Sequence, residues 1–372
     1  MDTPTTTPWT TPFGDLTLAR YPGRANELLL PYDAADTYLL NEVAERYRDA
    51  RSILVIGDRH GALTVALAGH AQVTMWSDSY LSGTATAINL EANGRTATIA
   101  VDAPDVDFDL VLVRPGKARA LLEAQLHDIA PHLGIGTPVV AGEMVKHLGR
   151  WVTELLERQI GPATASLARG KARLLRSTRD HLAADAPEWT VYSAPGDIEL
   201  HNAPGTFAAS GLDQGVRLLL PTLPTGLGDA LVADLGCGNG VLAIASALQN
   251  PQAHYLLVDE SAASVASAER SWRANIGEDR DVQFVLGDGL LDVVDESLDV
   301  VLCNPPFHTG QAVDEWVGQR LLEQAHAALR PGGELYLVAN RHLHYHRYLR
   351  SAFPTVDILA STPKFTVFRA VR

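Results

Sequence analysis

The chain has 372 residues, which is enough for two domains that each bury a core of their own. Its hydrophobic content of 46% and charged content of 20% are normal for a globular protein. No run approaches the roughly 18 apolar residues of a membrane span, and residues 1–12 lack the basic and then apolar order of a signal peptide. Two cysteines do not make a disulfide framework or a zinc site. We therefore expect a cytoplasmic protein without a membrane segment or a metal site.

The net charge of −14 disfavours extended contact with nucleic acid, because phosphate groups are bound by Lys and Arg. Any surface for nucleic acid would therefore have to be local. Residues 146–179 are rich in Lys and Arg, and residues 341–350 interleave three Arg with three His and two Tyr. A solvated helix face explains either stretch at least as well as an RNA contact does.

The first half of the chain begins with residues 1–12, whose Thr and Pro content predicts a disordered tail. After it, short apolar runs alternate with segments of helical periodicity, which predicts a doubly wound, mostly parallel sheet. The predicted helices are 33–48, 62–68, 81–93 and 119–130, and the predicted strands are 52–56, 72–76, 109–113 and 138–141.

A domain boundary is expected at residues 183–187, so that the first domain spans residues 13–187 and the second spans residues 188–372. Residues 189–207 have the pattern of short strands linked by Pro and Gly. The alternation of strands and helices then restarts. The predicted strands are 231–234, 255–259, 282–286, 300–303, 333–339 and 364–370, and the predicted helices are 241–247, 262–275 and 316–329.

The two halves look like a duplication, because loop 57–61 stands where loop 236–240 stands in the second half. Strand 109–113 likewise mirrors the apolar run that ends at Cys303. The first copy nevertheless has Arg59 in place of the middle Gly of the loop. We infer that it has kept the scaffold and lost the chemistry.

Asn304, Pro305, Pro306 and Phe307 follow the buried strand of the second half. Two prolines cannot continue a strand, so the chain must leave the sheet at its carboxyl edge, where ligands of open α/β sheets bind. An amide oxygen and a backbone carbonyl can both accept hydrogen bonds from one planar amino group, and a ring can stack on the base that carries it. Taken alone, a proline-capped strand end with a core Phe explains these residues equally well.

Loop 236–240 connects a strand to a helix and has the pattern Gly-x-Gly-x-Gly, with Asp234 two residues before it. This spacing differs from the dinucleotide fingerprint, and the absence of Gly-Lys-Ser/Thr excludes a P-loop. Asp259 ends the next strand, where a carboxylate can bind both hydroxyls of a ribose, and Asp288 ends the third, where it could meet an adenine amino group. The candidate cofactor residues are Asp234, Gly236, Cys237, Gly238, Asn239, Gly240, Asp259, Asp288 and Asn304.

These motifs resemble those of the class I S-adenosylmethionine-dependent methyltransferases, and the Asn-Pro-Pro-Phe run resembles their motif for methylating exocyclic amines. Together with the duplication, they are similar to the bacterial ribosomal RNA guanine-N(2) methyltransferases. Flanking residues look most like the large-subunit (23S) enzymes, and the small-subunit (16S) relative is also similar. The residues that carry the likeness to the large-subunit enzymes are 61–63, 78–80, 161–162, 171–174, 338–343 and 364–367. Residues 207–215 resemble the segment that precedes the cofactor domain in the guanine-N(2) methyltransferases as a group.

The resemblance implies two tandem Rossmann-like domains, with S-adenosylmethionine bound in the second and ribosomal RNA or a ribosomal subunit precursor as the partner. Asn304, Pro305 and Phe307 would be the catalytic residues, and a single chain could recognise RNA as a monomer. The target guanine would leave its stack to reach them. The first domain would bind RNA or serve only as a packing partner. The candidate substrate-binding residues are Pro306, His308, Phe207, Arg114, Lys117 and Arg341.

Three alternatives stay open at this point. The four residues from Asn304 do not exclude methylation of an adenine amine, and related enzymes with Tyr in place of Phe307 methylate a protein glutamine. A non-catalytic RNA-binding protein of ribosome assembly could have retained the fold. His308 could accept the proton after methyl transfer or make ordinary hydrogen bonds within its loop.

Overall fold

The structure is a computed structural model that describes residues 5–24, 27–181, 183–305, 311–343 and 345–372, with residues 311–315 described by their backbone. The chain divides into two compact units, Met1–Pro187 and Glu188–Arg372. In each unit, two apolar clusters cover opposite faces of a central sheet. No helix in the described part of the chain combines the length and the apolar character needed to cross a membrane.

The first unit contains five helices and nine strands within its described residues. The helices are α1 (Ala34–Arg46), α2 (Ala62–Ala68), α3 (Tyr80–Ala92), α4 (Arg119–Ile129) and α5 (Arg150–Gln159). The strands are β1 (Thr6–Thr11), β2 (Gly14–Ala19), β3 (Ser52–Ile56), β4 (Gln72–Trp76), β5 (Thr98–Ala100), β6 (Leu110–Val113), β7 (Pro138–Met144), β8 (Ala163–Ala165) and β9 (Ala172–Thr178).

The second unit opens with a hairpin of β10 (Thr190–Ala194) and β11 (Ile198–Asn202). Its helices are α6 (Gln214–Leu219), α7 (Val241–Gln249), α8 (Ala262–Asn275), α9 (Gln311–Ala328) and α10 (Tyr345–Ala352). Its further strands are β12 (Leu231–Leu235), β13 (His254–Asp259), β14 (Val282–Leu286), β15 (Leu298–Cys303), β16 (Leu329–Asn340), β17 (Thr355–Ser361) and β18 (Phe365–Val371).

The described residues of each unit form a seven-stranded sheet with the same topology. The strand order is β5-β4-β3-β6-β7-β9-β8 in the first unit and β14-β13-β12-β15-β16-β18-β17 in the second. Five neighbouring strands of each sheet pair in parallel, and antiparallel pairing adds the last two. The repeated order confirms the predicted fold of two doubly wound, mostly parallel α/β units.

The N-terminal segment differs from the sequence-based expectation. Residues 6–11, which were expected to be part of a disordered tail, form strand β1 and pair with β2. Trp9 is buried and stacks on Tyr32, with ring centroids 4.2 Å apart. Burial of this large ring and of Leu16 and Leu18 stabilises the hairpin, so composition alone was a poor guide.

The basic stretch of residues 146–179 holds elements that the sequence analysis did not identify, namely α5, β8 and β9. Some of its cations serve the fold. Arg176 donates hydrogen bonds to both carboxylate oxygens of Glu42, at 2.6 and 2.8 Å. Arg179 is buried and donates to the carbonyl of Ala130. These two residues are therefore engaged inside the first unit and are poor candidates for RNA contact.

Candidate active site

The order of strands in the second unit reverses at β12, because β13 lies on one side of it and β15 on the other. Leu235 pairs in register with Cys303, so that β12 and β15 end at the same edge of the sheet. This edge brings together Asp234 in β12, Asp259 at the end of β13 and Asn304 directly after β15. Such a switch point is where doubly wound sheets bind ligands.

Three glycines shape loop 236–240. The φ angles of Gly236, Gly238 and Gly240 are 73°, 55° and 80°, in the left-handed region that favours glycine. A Cβ at Gly240 would lie 3.2 Å from Ala268, whereas one at Gly236 or Gly238 would have no described atom within 4 Å. Gly240 therefore permits close packing of α7 on α8, and the other two glycines border open space.

Asp259 ties this loop to the end of β13. Its carboxylate accepts hydrogen bonds from the backbone N–H of Gly238 at 2.9 Å and from that of Ser261 at 3.0 Å. These two bonds fix the carboxylate beside the glycine loop. The sequence prediction placed a ribose at this residue, and the geometry is compatible with it.

Asp234 is fully enclosed beneath the loop. Its Oδ2 accepts a hydrogen bond from the backbone N–H of Ala243 at 3.0 Å, whereas its Oδ1 has no partner among the described residues. Burial, reinforced by the charge of Asp259 and opposed by the Ala243 bond, raises the pKa of Asp234 to about 8. A buried oxygen without a partner is costly, which indicates that a ligand group completes the site.

Two residues of the loop have side chains that serve packing. Asn239 is buried and donates hydrogen bonds to Asn202 Oδ1 at 2.8 Å and to the Tyr192 hydroxyl at 3.1 Å. The Cys237 thiol is also buried, and this burial raises its pKa. Both residues can still offer backbone groups to a ligand. Tyr192 and Asn202 anchor the loop from the β10–β11 hairpin, and no motif in the sequence pointed to them.

Asp288 follows β14 and is engaged by helix α9. Arg320 Nη1 lies 2.7 Å from Asp288 Oδ2, and Nη2 donates to Oδ1. The Asp288 side chain is only 3% exposed. Sequence reasoning proposed Asp288 as an adenine ligand but did not identify Arg320. Arg320 lies 32 residues later in the chain, on helix α9, where no motif marks it.

Asn304 lies where β15 ends. Its Oδ1 is buried and has no hydrogen-bond partner among the described residues. Gly215 approaches it closely, since a Cβ there would lie 3.4 Å from Asn304 Oδ1 and 3.0 Å from Asp213 Oδ1. Asp213 caps α6 by accepting hydrogen bonds from the backbone N–H groups of Gly215 and Val216. The amide oxygen therefore lies at the sheet edge beside the start of α6, without a hydrogen-bond partner among the described residues.

The remaining substrate residues predicted for this unit fall into two groups. Pro306, Phe307 and His308 lie outside the described residues. Phe207 is 52% exposed, and Arg341 is also exposed, with Nη1 lying 3.4 Å from the carbonyl oxygen of Thr362. Both exposed side chains are accessible to a large substrate.

At the corresponding edge of the first unit, the glycine loop packs against the turn after β6. A Cβ at Gly57 would lie 2.5 Å from the carbonyl oxygen of Arg114, so that the loop rests directly on the turn after β6. Asp58 accepts hydrogen bonds from the backbone N–H and the hydroxyl of Thr64, both at 2.8 Å. Asp58 thus accepts a hydrogen bond from the third residue of α2, as Asp234 does from the third residue of α7. Asp58 lies within its glycine loop, whereas Asp234 precedes its loop by two residues.

Arg114 requires a correction to the sequence-based expectation, which assigned it to RNA phosphate. Its side chain is 5% exposed and is held by Asp33 at 2.9 Å, Asp36 at 2.6 Å and Glu143 at 3.5 Å. A guanidinium enclosed by three carboxylates is not available to phosphate, so Arg114 is a structural residue. Lys117, the other cation proposed there, is exposed. Among the residues that the structure describes, no group of three or more His, Cys, Asp or Glu could hold a metal ion.

Comparison with known proteins agrees with this geometry. Residues 6–181 match the family described as RLMG N-terminal domain, and residues 197–369 match the family described as Methyltransferase small domain. Ribosomal RNA large subunit methyltransferase G of Pseudomonas putida (strain GB-1) is 49% identical over 370 residues, covering 97% of this chain and 98% of that protein. The chain belongs to the large subunit methyltransferase G family.

Other members and one solved structure extend the comparison. The protein of the same name from Pseudomonas syringae pv. syringae (strain B728a) is 49% identical over 96% of this chain and 98% of its own length. The T. thermophilus 16S rRNA N2 G1207 methyltransferase (RsmC), solved in complex with AdoMet and guanosine, is 26% identical. It matches 99% of this chain and 98% of its own with a TM-score of 0.80. As a member of the methyltransferase G family, this chain is a methyltransferase.

Proposed function

We propose that the second unit transfers a methyl group from S-adenosylmethionine to the exocyclic amine, N2, of a guanine in 23S ribosomal RNA. The observation that carries this proposal is a pair of buried side-chain oxygens, Asp234 Oδ1 and Asn304 Oδ1, at one edge of one sheet and without hydrogen-bond partners among the described residues. The first is suited to an ammonium group of a cofactor, and the second is suited to an amine of a substrate. The family to which the chain belongs supports the same reaction.

The residues at this edge fit S-adenosylmethionine, which supplies the methyl group when it is bound. Gly236 and Gly238 leave room for close approach to the backbone. We assign Asp234, through its Oδ1, to the methionine ammonium group, Asp259 to the ribose hydroxyls and Asp288 to the adenine. These five residues would hold the cofactor, with further contacts from the backbone of Cys237 and Asn239.

The chain's contribution to the reaction is to orient the substrate amine. Asn304 Oδ1 and the Pro305 carbonyl accept hydrogen bonds from the amine, which favours a more tetrahedral nitrogen and aligns it for in-line displacement. The nitrogen becomes positive during transfer, so no strong general base is needed before attack. Phe307 would stack on the base, worth about 1–3 kcal/mol. His308 would make ordinary hydrogen bonds within its loop or accept the proton after transfer.

The choice of 23S over 16S RNA rests on the relatives. The proteins that are 48–49% identical over nearly the whole chain carry a large-subunit name, whereas the 16S methyltransferase is 26% identical. That 16S enzyme is named for guanine N2 chemistry, so a 16S substrate is the second candidate. It would use the same residues at the same edge of the sheet.

We further infer that the first domain, residues 13–187 together with the β1 strand before it, recognises the RNA. Its glycine loop is pressed against the turn at Arg114 and has Arg59 in place of the middle glycine, so it lacks the open loop of the second unit. The exposed Lys117 remains a candidate for phosphate contact. The alternative is that this unit is only a packing partner, in which case Lys117→Ala would leave RNA affinity unchanged.

We infer that the enzyme acts in the cytoplasm as a monomer. The described residues include two buried free cysteines, which suits a reducing compartment, and ribosomal RNA is made there. Both proposed functions, recognition and catalysis, reside in one chain. Light scattering of the purified protein is expected to give the mass of a single chain, and a dimer mass would contradict the inference.

Replacement of Gly238 by Ala is expected to weaken S-adenosylmethionine binding at least about tenfold, because a methyl group there enters the ligand space. Gly226→Ala is the matched control. Gly226 has a φ of 72° against 55° at Gly238, and a Cβ at either position meets no described atom within 4 Å. Each replacement should lower stability by about 1–2 kcal/mol through left-handed strain. Equal cofactor affinity in the two variants, measured by calorimetry, would contradict the assignment of this space to the cofactor.

Cofactor affinity is expected to rise with pH. The pKa of Asp234 is about 8, so the free protein carries a proton at pH 7 that must leave before the carboxylate accepts a bond from an ammonium group. The affinity for S-adenosylhomocysteine should increase between pH 6 and 8, by at most about tenfold per pH unit, and then level off. Asp234→Asn should flatten this profile. If the affinity of the unaltered protein did not change with pH, ligand binding would not be coupled to loss of a proton from Asp234.

The experiment that tests the proposed function is incubation with radiolabelled S-adenosylmethionine and unmethylated 23S or 16S ribosomal RNA, followed by nucleoside analysis. Label in N2-methylguanosine from 23S RNA is the expected result. Label from 16S RNA alone would keep the reaction and overturn the substrate. Label in methylated adenosine, or no label in naked RNA and in assembled subunits despite cofactor binding, would overturn the guanine reaction.

A further inference from the structure

A cavity of about 130 Å³ lies beside the glycine loop of the first unit. This loop follows β3, just as loop 236–240 follows β12, so the cavity lies at the edge that corresponds to the proposed cofactor edge of the second unit. Residues 30–33 and 57–60 line it, together with Arg20, Asp36 and Arg114. Its volume is several times the roughly 30 Å³ that one water occupies in the liquid, so it can admit a larger ligand.

The described residues place three carboxylates at the wall of this cavity, and each is held by donors of the protein. Asp33 and Asp36 share the guanidinium of Arg114, at 2.9 and 2.6 Å. Asp58 accepts its two hydrogen bonds from Thr64, both at 2.8 Å. The acidic charge at the wall is therefore largely compensated within the first unit.

Two arginines at the cavity have only distant carboxylate partners. Arg20 Nε lies 3.8 Å from Glu27, and Arg59 Nη2 lies 3.9 Å from Glu143, which is too far for a hydrogen bond in either case. Arg20 Nη1 donates to the carbonyl of Leu30 at 3.1 Å, whereas its Nε has no hydrogen-bond partner within the described ranges. These two guanidinium groups bring positive charge to the cavity that the nearby acids only partly offset.

His60 adds an uncharged polar ring to the same wall. Burial, reinforced by the positive charges of Arg20 and Arg59, lowers the pKa of His60 to about 3, so the ring is neutral at physiological pH. Its Nδ1 is buried and has no hydrogen-bond partner in the part of the chain that the structure describes. A neutral imidazole carries one donor and one acceptor nitrogen, which suits a ligand with a polar edge.

The cavity also has an apolar wall, formed by Leu30, Pro31 and Tyr32. The Tyr32 ring is held in place by its stacking on Trp9. Leu30 is 52% exposed, and Leu28 beside it is 92% exposed. Apolar side chains next to arginines are the surroundings in which proteins hold unstacked bases of single-stranded RNA.

We propose that this cavity binds one unstacked nucleotide of the RNA, with its base against the apolar wall and its phosphate at Arg20 and Arg59. The inference rests on the proposed recognition of RNA by the first unit. A bare anion would leave the apolar wall in contact with water, and an uncharged ligand would leave the two arginines without a counter-charge. A nucleotide satisfies both walls, and the edge of its base can bond to His60.

The test measures binding of the four nucleoside 5′-monophosphates to the full chain by calorimetry, with saturating S-adenosylhomocysteine present. At least one of them should bind, and Arg59→Gln should weaken that nucleotide about tenfold, the value of one charge-assisted hydrogen bond. Arg59→Lys should restore part of the affinity. Arg46→Gln is the matched control, because Arg46 is 61% exposed against 62% for Arg59 and also contacts a buried glutamate, Glu42. It should leave the affinity unchanged.

A second comparison separates the base from the phosphate. Ribose 5-phosphate, which lacks the base, should bind about tenfold more weakly than the nucleotide. Leu30→Ser should weaken the nucleotide about threefold and leave ribose 5-phosphate unchanged, because it removes only apolar contact. Leu28→Ser is its control, since Leu28 is exposed and does not line the cavity. Equal affinity for nucleotide and ribose 5-phosphate would overturn the base pocket in favour of a simple anion site.

The outcomes also separate this inference from the proposed function. Unmethylated 23S RNA should bind Arg59→Gln at least about threefold more weakly than Arg46→Gln at the same salt concentration. If only mononucleotide binding falls, the ligand is a free nucleotide and RNA as its source is overturned. If no monophosphate binds, or if Arg59→Gln binds as tightly as the unaltered protein, the inference is overturned, whereas methylation of 23S RNA would still uphold the proposed function. Nucleotide binding without methylation of any RNA would instead overturn the proposed function.

Discussion

Asn304→Ala is expected to lower kcat for methyl transfer by about 10²–10³-fold, the usual cost of removing one preorganised hydrogen-bonding group from a transition state. The affinity for S-adenosylmethionine should stay within about threefold, because the contacts assigned to the cofactor come from Asp234, the glycine loop, Asp259 and Asp288 rather than from this amide, although the sequence analysis also counted Asn304 as a cofactor candidate. Asn304 Oδ1 is buried without a partner among the described residues, so it is free to accept the substrate amine. Single-turnover kinetics and calorimetry together would measure both quantities.

Asn304→Asp is the matched comparison for this prediction. Aspartate keeps an acceptor oxygen at the same place and has almost the same shape, so it should retain more activity than alanine does. Equal loss in both variants would argue that the amide nitrogen matters more than the oxygen. Parallel loss of cofactor affinity in Asn304→Ala would contradict the substrate role proposed for this residue.

Arg114→Met is expected to destabilise the first unit by about 3–5 kcal/mol, because it leaves the carboxylates around the guanidinium buried and unpaired. Asp36 and Glu143 are both buried beside Arg114, and Asp33 shares the same guanidinium. Hydrogen exchange of strand β3 in the full chain would report the free energy of unfolding for this unit. If Arg114 contacted RNA instead, the variant would be stable and defective only in RNA binding.

Arg59→Met is the control for Arg114→Met. Arg59 lies 3.9 Å from the same Glu143, but its side chain is 62% exposed, so its loss should change stability by at most about 1 kcal/mol.

The loss of unfolding free energy caused by Arg114→Met, called the deficit below, should also depend on pH. Burial already raises the pKa of Asp36 to about 7, although Arg114 opposes this shift. Without Arg114 the folded unit binds still more protons than the unfolded chain, so the deficit should shrink as the pH falls from 8 to 5. A deficit that stays constant over this range would show that the carboxylates are not the cause.

Much of the fold was predictable because its signals are local. Strand 52–56 and helix 62–68 in the first half, and helix 262–275 in the second, appear with the predicted bounds. An apolar run of strand length indicates a buried strand, and apolar residues at helical spacing indicate a helix with one buried face. Glycines mark the turns between these elements, because they adopt φ > 0 without strain. Strand β17 was not among the predicted strands, and its residues are mostly exposed.

The amino-acid sequence by itself determined the two α/β units and the likeness of the second one to amine methyltransferases. These follow from patterns that are contiguous in the chain: the glycine loop, the acids at strand ends and the four residues from Asn304. Only the tertiary structure decided which side chains face one another. It paired Arg114 with three carboxylates from distant segments, joined Arg320 to Asp288 and buried Trp9 against Tyr32. The role of a charged or aromatic side chain depends on partners that are remote in sequence, because burial and pairing set its energy.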